Sequence, residues 1–137
     1  MIDVSIYNLA KKALQQGEEC LLEFLDALPQ MAWTGSPSGK ILYFNKAWYA
    51  YTGMKPAQTD GWVNVIHPDD SSEVISAWNT SLRTGDYHVE YRIRCSADKT
   101  YRWFLEQAMP LRDEEGAVII WIGTYTDITD EKQHAAP

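Results

Sequence analysis

Cysteine is scarce in this chain. Cys20 and Cys95 are the only two in 137 residues, and they lie far apart. No CxxC pair or Cys/His cluster accompanies them, and His67, His88 and His134 are equally dispersed. Neither a disulfide framework nor a metal site is therefore expected. Long apolar runs are missing too: none approaches the ~20 residues that cross a bilayer. The opening MIDVSIYNLAKK has no positive segment followed by a long apolar stretch, so it does not read as a secretory signal. A cytoplasmic location with no membrane contact by this segment is the expectation. Basic residues are outnumbered, 12 Lys and Arg against 19 Asp and Glu, for a formal charge of −7. Nothing here neutralises a phosphate backbone, so nucleic acid is not expected as a partner.

What is plentiful is large aromatic side chain, six Trp and eight Tyr. Each brings much area to bury, so the length supports one domain with a real core. Residues 3–28 read as helix, with Ile2, Ile6, Leu9, Ala13, Cys20 and Phe24 at spacings of three, four or seven. Gly17 interrupts the pattern, and Pro29 stops it. Two readings stay open: an amphipathic helix lying on its own domain, or the seam of a homodimer. The runs 31–35 and 41–45 flank the turn SPSG and predict a hairpin. Asn45 and Gly53 bracket a short helix over 46–52 as cap and stop. Asp70 and Glu73 have capping-box spacing ahead of an amphipathic helix over 71–83, carried by Val74, Ile75, Trp78 and Leu82.

From Tyr87 the period changes to two. Tyr87, Val89, Tyr91 and Ile93 alternate with His88, Glu90, Arg92 and Arg94, a half-buried strand. A second strand is expected over 101–109, closed by Pro110, and a third from Ala117, buried on both faces at 118–122. Hairpin-linked strands with helices grouped between them make an α+β layer fold.

In order and spacing, LPQMAWTGSPSGKILYFNKAWYAYTG, GWVNVIHPDD, VEYRIR, YRWFLEQAMPLRDEEG and WIGTYTDITDEK resemble PAS domains of bacterial sensor kinases and cyclic-dinucleotide enzymes. The resemblance covers about residues 28–132. It implies a five-stranded antiparallel sheet with helices 46–84 over one face and a pocket between them. It also implies a signal leaving through the helix after the last strand. The expected divisions are a helical segment 1–27, the PAS domain 28–130, and the start of a linker or signalling helix at 131–137.

The resemblance also bears on chemistry. The photoreceptor branch, the LOV domains, carries a cysteine in the segment matching 61–66, which here reads GWVNVI. Haem-binding relatives use a histidine on the helix matching 71–84, and that helix has none; haem needs an axial ligand. No cofactor is expected, although an unknown small ligand stays open. His67 beside Asp69 and Asp70 reads as a helix start rather than an acid–base pair, so no catalytic residue is assigned. Strand alternation turns Tyr91 and Ile93 inward. Comparison with the LOV relatives adds Trp121, Gly123 and Tyr125 on the last strand, Phe104, Glu106 and Ala108 on the one before, and Trp33 on the first. These are the ligand-pocket candidates, and two alternatives stand beside that role. The aromatics can simply fill the core, and Glu106 and Tyr125 can satisfy each other. The opposite face then carries Trp103 and Leu105, which need cover from the N-terminal helix or a second subunit.

Asp127 and Thr129 mark the signal exit, with Thr129 or Asp130 as helix cap. The reading is a non-catalytic sensory domain, the input module of a histidine kinase or cyclic-dinucleotide enzyme that senses a small ligand. The alternative is a dimerisation module with a filled core. Expected partners are a second copy of the chain and a downstream output domain. With neither adduct cysteine nor helix histidine, the purified protein should be colourless. An absorption spectrum with a stoichiometric Soret or flavin band would contradict this.

Overall fold

A computed structural model of the protein describes residues 4–56 and 59–135. Two helices open the chain, α1 (Val4–Gln16) and α2 (Glu18–Ala27). Gly17 separates them at φ 138°, ψ 159°, a backbone setting that glycine adopts most readily. The hairpin strands β1 (Ala32–Gly35) and β2 (Ile41–Phe44) follow, then α3 (Lys46–Thr52), a 3-10 helix (Thr59–Val65) and α4 (Ser71–Thr84). A meander closes the fold: β3 (Tyr87–Arg94), β4 (Tyr101–Arg112), β5 (Val118–Asp127), with α5 (Thr129–Ala135) leaving it. The five strands form one antiparallel sheet in the order β2-β1-β5-β4-β3.

The sheet has two occupied faces. On the inner face, Trp33, Phe44, Tyr91, Phe104, Trp121 and Tyr125 pack against Trp48, Val65, Ile66 and Val74 of the helical side. On the outer face, Ala32, Leu111, Ile120 and Ile122 pack against Ala10 of α1 and Leu21 and Leu25 of α2. The N-terminal helices therefore cover their own sheet. The stripe they bury is the expected one only in part: Ala13 and Phe24 do pack against this cluster, but they are not its centre. Ala10, Leu21 and Leu25 are fully buried, whereas Leu9 is 52% exposed. Ile2 lies outside the described residues. Apolar spacing alone left the face undecided, because Gly17 resets the helical phase between the two halves.

Asn45 fastens these pieces. It is fully buried, and its Oδ1 accepts from the backbone N–H groups of Trp48 and Ala32. Its Nδ2 donates to the carbonyls of Leu25 and Gln30. One amide thus caps α3 and ties α2 to β1, using every donor and acceptor it has.

Four expectations need correction. β4 continues through Pro110 to Arg112. Its pairing with β3 ends at Ala108, so Pro110 sits where that side of the strand has no neighbour and the missing N–H costs no ladder bond. The Pro110 carbonyl accepts from Tyr7 of α1. In β5, Ile119 is 47% exposed, and burial on both faces begins at Ile120. Asp70 does precede α4 but makes no side-chain cap; Arg92 takes its carboxylate instead. Finally, α5 begins at Thr129, ahead of the expected boundary at 131.

Leu21→Ala should cost about 2–5 kcal/mol by leaving a cavity against the outer face. Leu9→Ala should stay within about 0.5 kcal/mol. Urea unfolding of both variants checks this; equal losses would mean that α1 presents a different face.

Candidate functional site

The register places the candidate residues together. Trp33 pairs with Gly123, and Gly123 pairs with Ala108. Two positions along, Tyr125 pairs with Glu106 and Glu106 with Val89. Cross-strand partners share a face, so Trp33, Glu106, Gly123 and Tyr125 all lie on the inner side. Gly123 decides what happens there. A Cβ at that position would stand 2.0 Å from the Trp33 indole. The ring thus lies flat on the glycine and crosses the β5 backbone. Its Nε1 then donates to Glu106 Oε2 at 2.7 Å.

The other carboxylate oxygen, Oε1, accepts from Tyr87 and Tyr91 at 2.7 and 2.6 Å. The Tyr125 hydroxyl stands 3.4 Å from that of Tyr91 and also acts on Glu106 as a donor. Burial pushes the Glu106 carboxyl above its ordinary value, and these donors offset only part of that. Burial, reinforced by the Glu106 charge, pushes Tyr91 and Tyr125 well above the usual phenol range, so their protons stay on. This is a carboxylate used as a structural acceptor, surrounded by donors that do not ionise.

Aromatic rings close the remaining space. Trp78 meets Trp33 and Trp121 edge-on at 5.2 and 5.0 Å, and Phe44 stacks on Trp48 at 4.2 Å. Between Ile41, Phe44, Trp62, Trp78, Tyr87, Tyr91, Glu106 and Tyr125 there remains about 20 Å³, room for one water. Ile93 is fully buried in the same layer. A larger hollow of 470 Å³ opens at the other end of the face, lined by Pro29, Gln30, Met31, Ala47, Tyr51, Arg102, Phe104, Tyr125 and Asp127. Among the described residues, no cluster of His, Cys, Asp or Glu is placed to hold a metal ion. No helix among them is long and apolar enough to cross a membrane.

Comparison with known proteins now bears on this architecture. A family model described as PAS fold matches residues 41–125. The chain belongs to the PAS family. An uncharacterised protein, y4lL of Sinorhizobium fredii, is 36% identical over 135 residues, covering 96% of this chain and 16% of y4lL. The peroxide stress-activated histidine kinase mak1 of Schizosaccharomyces pombe is 37% identical over 111 residues, covering 79% of this chain and 7% of mak1. The chain thus spans a small part of the curated relatives it matches. The crystal structure of a sensory box histidine kinase/response regulator from Burkholderia thailandensis superposes with a TM-score of 0.58 at 25% identity, covering 77% of this chain and 81% of that one. A light-oxygen-voltage domain structure with a flavin analogue shares the fold at 20% identity and a TM-score of 0.61, covering 90% and 87%. As a PAS domain, the chain is a sensory, signal-transducing type of module.

The exit of the PAS domain is tied to β4. Asp127 Oδ1 accepts the Thr129 N–H, and Oδ2 accepts Arg102 Nε at 2.7 Å. Burial raises the Asp127 carboxyl, but the Thr129 and Arg102 hydrogen bonds outweigh it and hold it below its ordinary value. Thr129 itself does not cap α5 as expected. Its Oγ1 turns back to the sheet and accepts the Trp103 N–H, so Asp127 supplies the acceptor at the helix start. Trp103, on the outer face, lies between Arg92 at 5.0 Å and Lys132 of α5 at 4.8 Å. Arg92 in turn holds Asp70 through its own N–H, Nε and a terminal nitrogen, and Lys132 pairs with Glu90. Cover for Trp103 therefore comes from cations of the domain itself. His67 stands 3.9 Å from Asp69, and its Nδ1 accepts the Asp69 N–H within a local turn.

Tyr87 was not among the expected site residues, although the signal was present. It shares the face of Tyr91, and the two flank Val89, the register partner of Glu106. Knowing that register takes the pairing of β3 with β4.

Glu106→Ala should destabilise the domain by about 3 kcal/mol or more, because Trp33, Tyr87 and Tyr91 would each bury an unpaired donor. In a double-mutant cycle with Trp33→Phe, the losses should fall short of additive. Additive urea-unfolding energies would mean that the indole and the carboxylate act independently.

Proposed function

We propose that this PAS domain is a non-catalytic sensory relay whose interior is filled by its own side chains. It would pass strain through α5 to an output domain, a histidine kinase or cyclic-dinucleotide enzyme. One observation carries the choice between the two sequence readings. Trp33 lies across Gly123 onto Glu106 and leaves about 20 Å³ inside, where small-molecule sites typically offer about 300 Å³ or more. The pocket candidates Trp33, Tyr91, Ile93, Glu106, Trp121 and Gly123 then serve as packing and a hydrogen-bonded knot. Phe104 and Tyr125 also reach the separate outer hollow.

The mak1 relative and the Burkholderia neighbour, both named as histidine kinases, support a kinase output. The absence of catalysis is supported by Glu106, the buried carboxylate of the interior, which is fully engaged with donors that keep their protons. The helices within residues 4–27 act as the outer cover of the domain 28–130, and residues 131–135 continue the outgoing helix. A cytoplasmic setting follows from the kinase role. Homodimerisation would use surface left free by the N-terminal helices, such as Leu9 and Leu42, each about half exposed.

With the domain joined to a histidine kinase output, Asp127→Ala should shift autophosphorylation by about fivefold or more while thermal unfolding of the isolated domain changes little. An unaltered kinase rate, or loss of folding in place of a change in output, would defeat the relay reading.

A further inference from the structure

We propose that the cleft beside the outgoing helix binds a small aromatic or branched-aliphatic monocarboxylate. Its acid group would sit on the terminal nitrogens of Arg102 and its body against Tyr51 and Phe104. The cleft offers 470 Å³, within the range of small-molecule sites, whereas the interior offers 20 Å³. Its walls come from four separate parts of the chain: the segment before β1 (Pro29, Gln30, Met31), α3 (Ala47, Tyr51), β4 (Arg102, Phe104) and β5 (Tyr125, Asp127). Met31 and Phe104 are buried, and Tyr51 meets Phe104 edge-on at 5.2 Å, so an apolar body finds a preformed aromatic corner.

Arg102 gives the cleft its polarity. Its Nε is spent on Asp127, but among the described residues its two terminal nitrogens have no hydrogen-bond partner. The Arg102 side chain is 45% exposed, accessible yet held in place by Asp127. A guanidinium edge of this kind matches the two oxygens of a carboxylate. Asp127 lines the same cleft, and Asp130 acts on Arg102 through space. A dianion such as a phosphate monoester would meet that negative field twice over, which favours a single negative charge. An acid bound here loads the Arg102 side chain that holds Asp127, and Asp127 holds the first N–H of α5. That consequence for signalling rests on the exit reading above; the binding itself does not.

The test is titration of the full chain with phenylacetate, isovalerate and the neutral phenylacetamide, followed by backbone amide NMR. Phenylacetate should saturate, with shifts centred on Met31, Tyr51, Phe104 and Tyr125. Phenylacetamide should bind about tenfold more weakly or less, since a charge-assisted bidentate contact is lost. Arg102→Lys keeps a cation beside Asp127 but loses the fork, and should weaken phenylacetate about tenfold. Ala47→Met leaves the ion pair alone, fills the cleft and should abolish binding. No saturation by either acid overturns the proposal. So does equal affinity for the amide, unchanged affinity in both variants, or shifts centred on Trp33, Tyr91 and Glu106. Saturable binding at the cleft with still amides at Thr129 and Asp130 supports the site and overturns the exit reading instead.

Discussion

The hydrogen bond from the Trp33 indole to the Glu106 carboxylate is the contact on which the inner face depends. It spans from β1 to β4 across β5, and it exists because Gly123 presents no side chain between them. A buried carboxylate is costly unless its lone pairs are taken. Here both oxygens are taken, by an indole and two phenols. The donors come from β1 and β3, so one acidic group pins together strands at both sides of the sheet. The same bond dictates where the indole lies, and the indole occupies the volume that a ligand of the interior would need.

A second set of contacts works on the opposite face. Asp70 at the start of α4 holds Arg92, Arg92 lies over Trp103, and Lys132 of α5 lies over the same ring. Trp103 also gives its backbone N–H to Thr129. The first turn of the outgoing helix is therefore attached to β4 by a hydroxyl, an ion pair through Asp127, and a cation over an aromatic ring. Individually such surface contacts are weak. Together they fix the angle at which α5 departs.

These two layers divide the labour of a sensory module. The interior is nearly filled, and its buried carboxylate is matched by donors. The accessible elements lie at the Arg102–Asp127 end, where the surface is open and the ion pair half exposed. The indole N–H groups of Trp48 and Trp121 remain buried without a partner among the described residues, and the packing offers no physical account of them.

Much of this was legible from residues alone. Alternation over 87–94 determined which side chains of β3 are buried, because a strand repeats every two residues. Asn45, Gly53 and Gly85 set helix ends through a cap and left-handed backbone that few other residues supply as readily. The family resemblance put Glu106 and Tyr125 on one face, and the register pairs them. What the sequence could not decide was long-range. Pro110 looked like a strand end, and only the stopping point of β3 made it acceptable inside β4. Asp70 had the spacing of a cap, and only the approach of Arg92 from β3 drew it away. The apolar stripe of the first helix had no determined direction until the sheet lay beneath it. Whether the inward residues enclose a cavity or fill it depended on where one indole came to rest. Local pattern encodes which face a side chain takes; the volume between faces is a property of all the side chains that meet there.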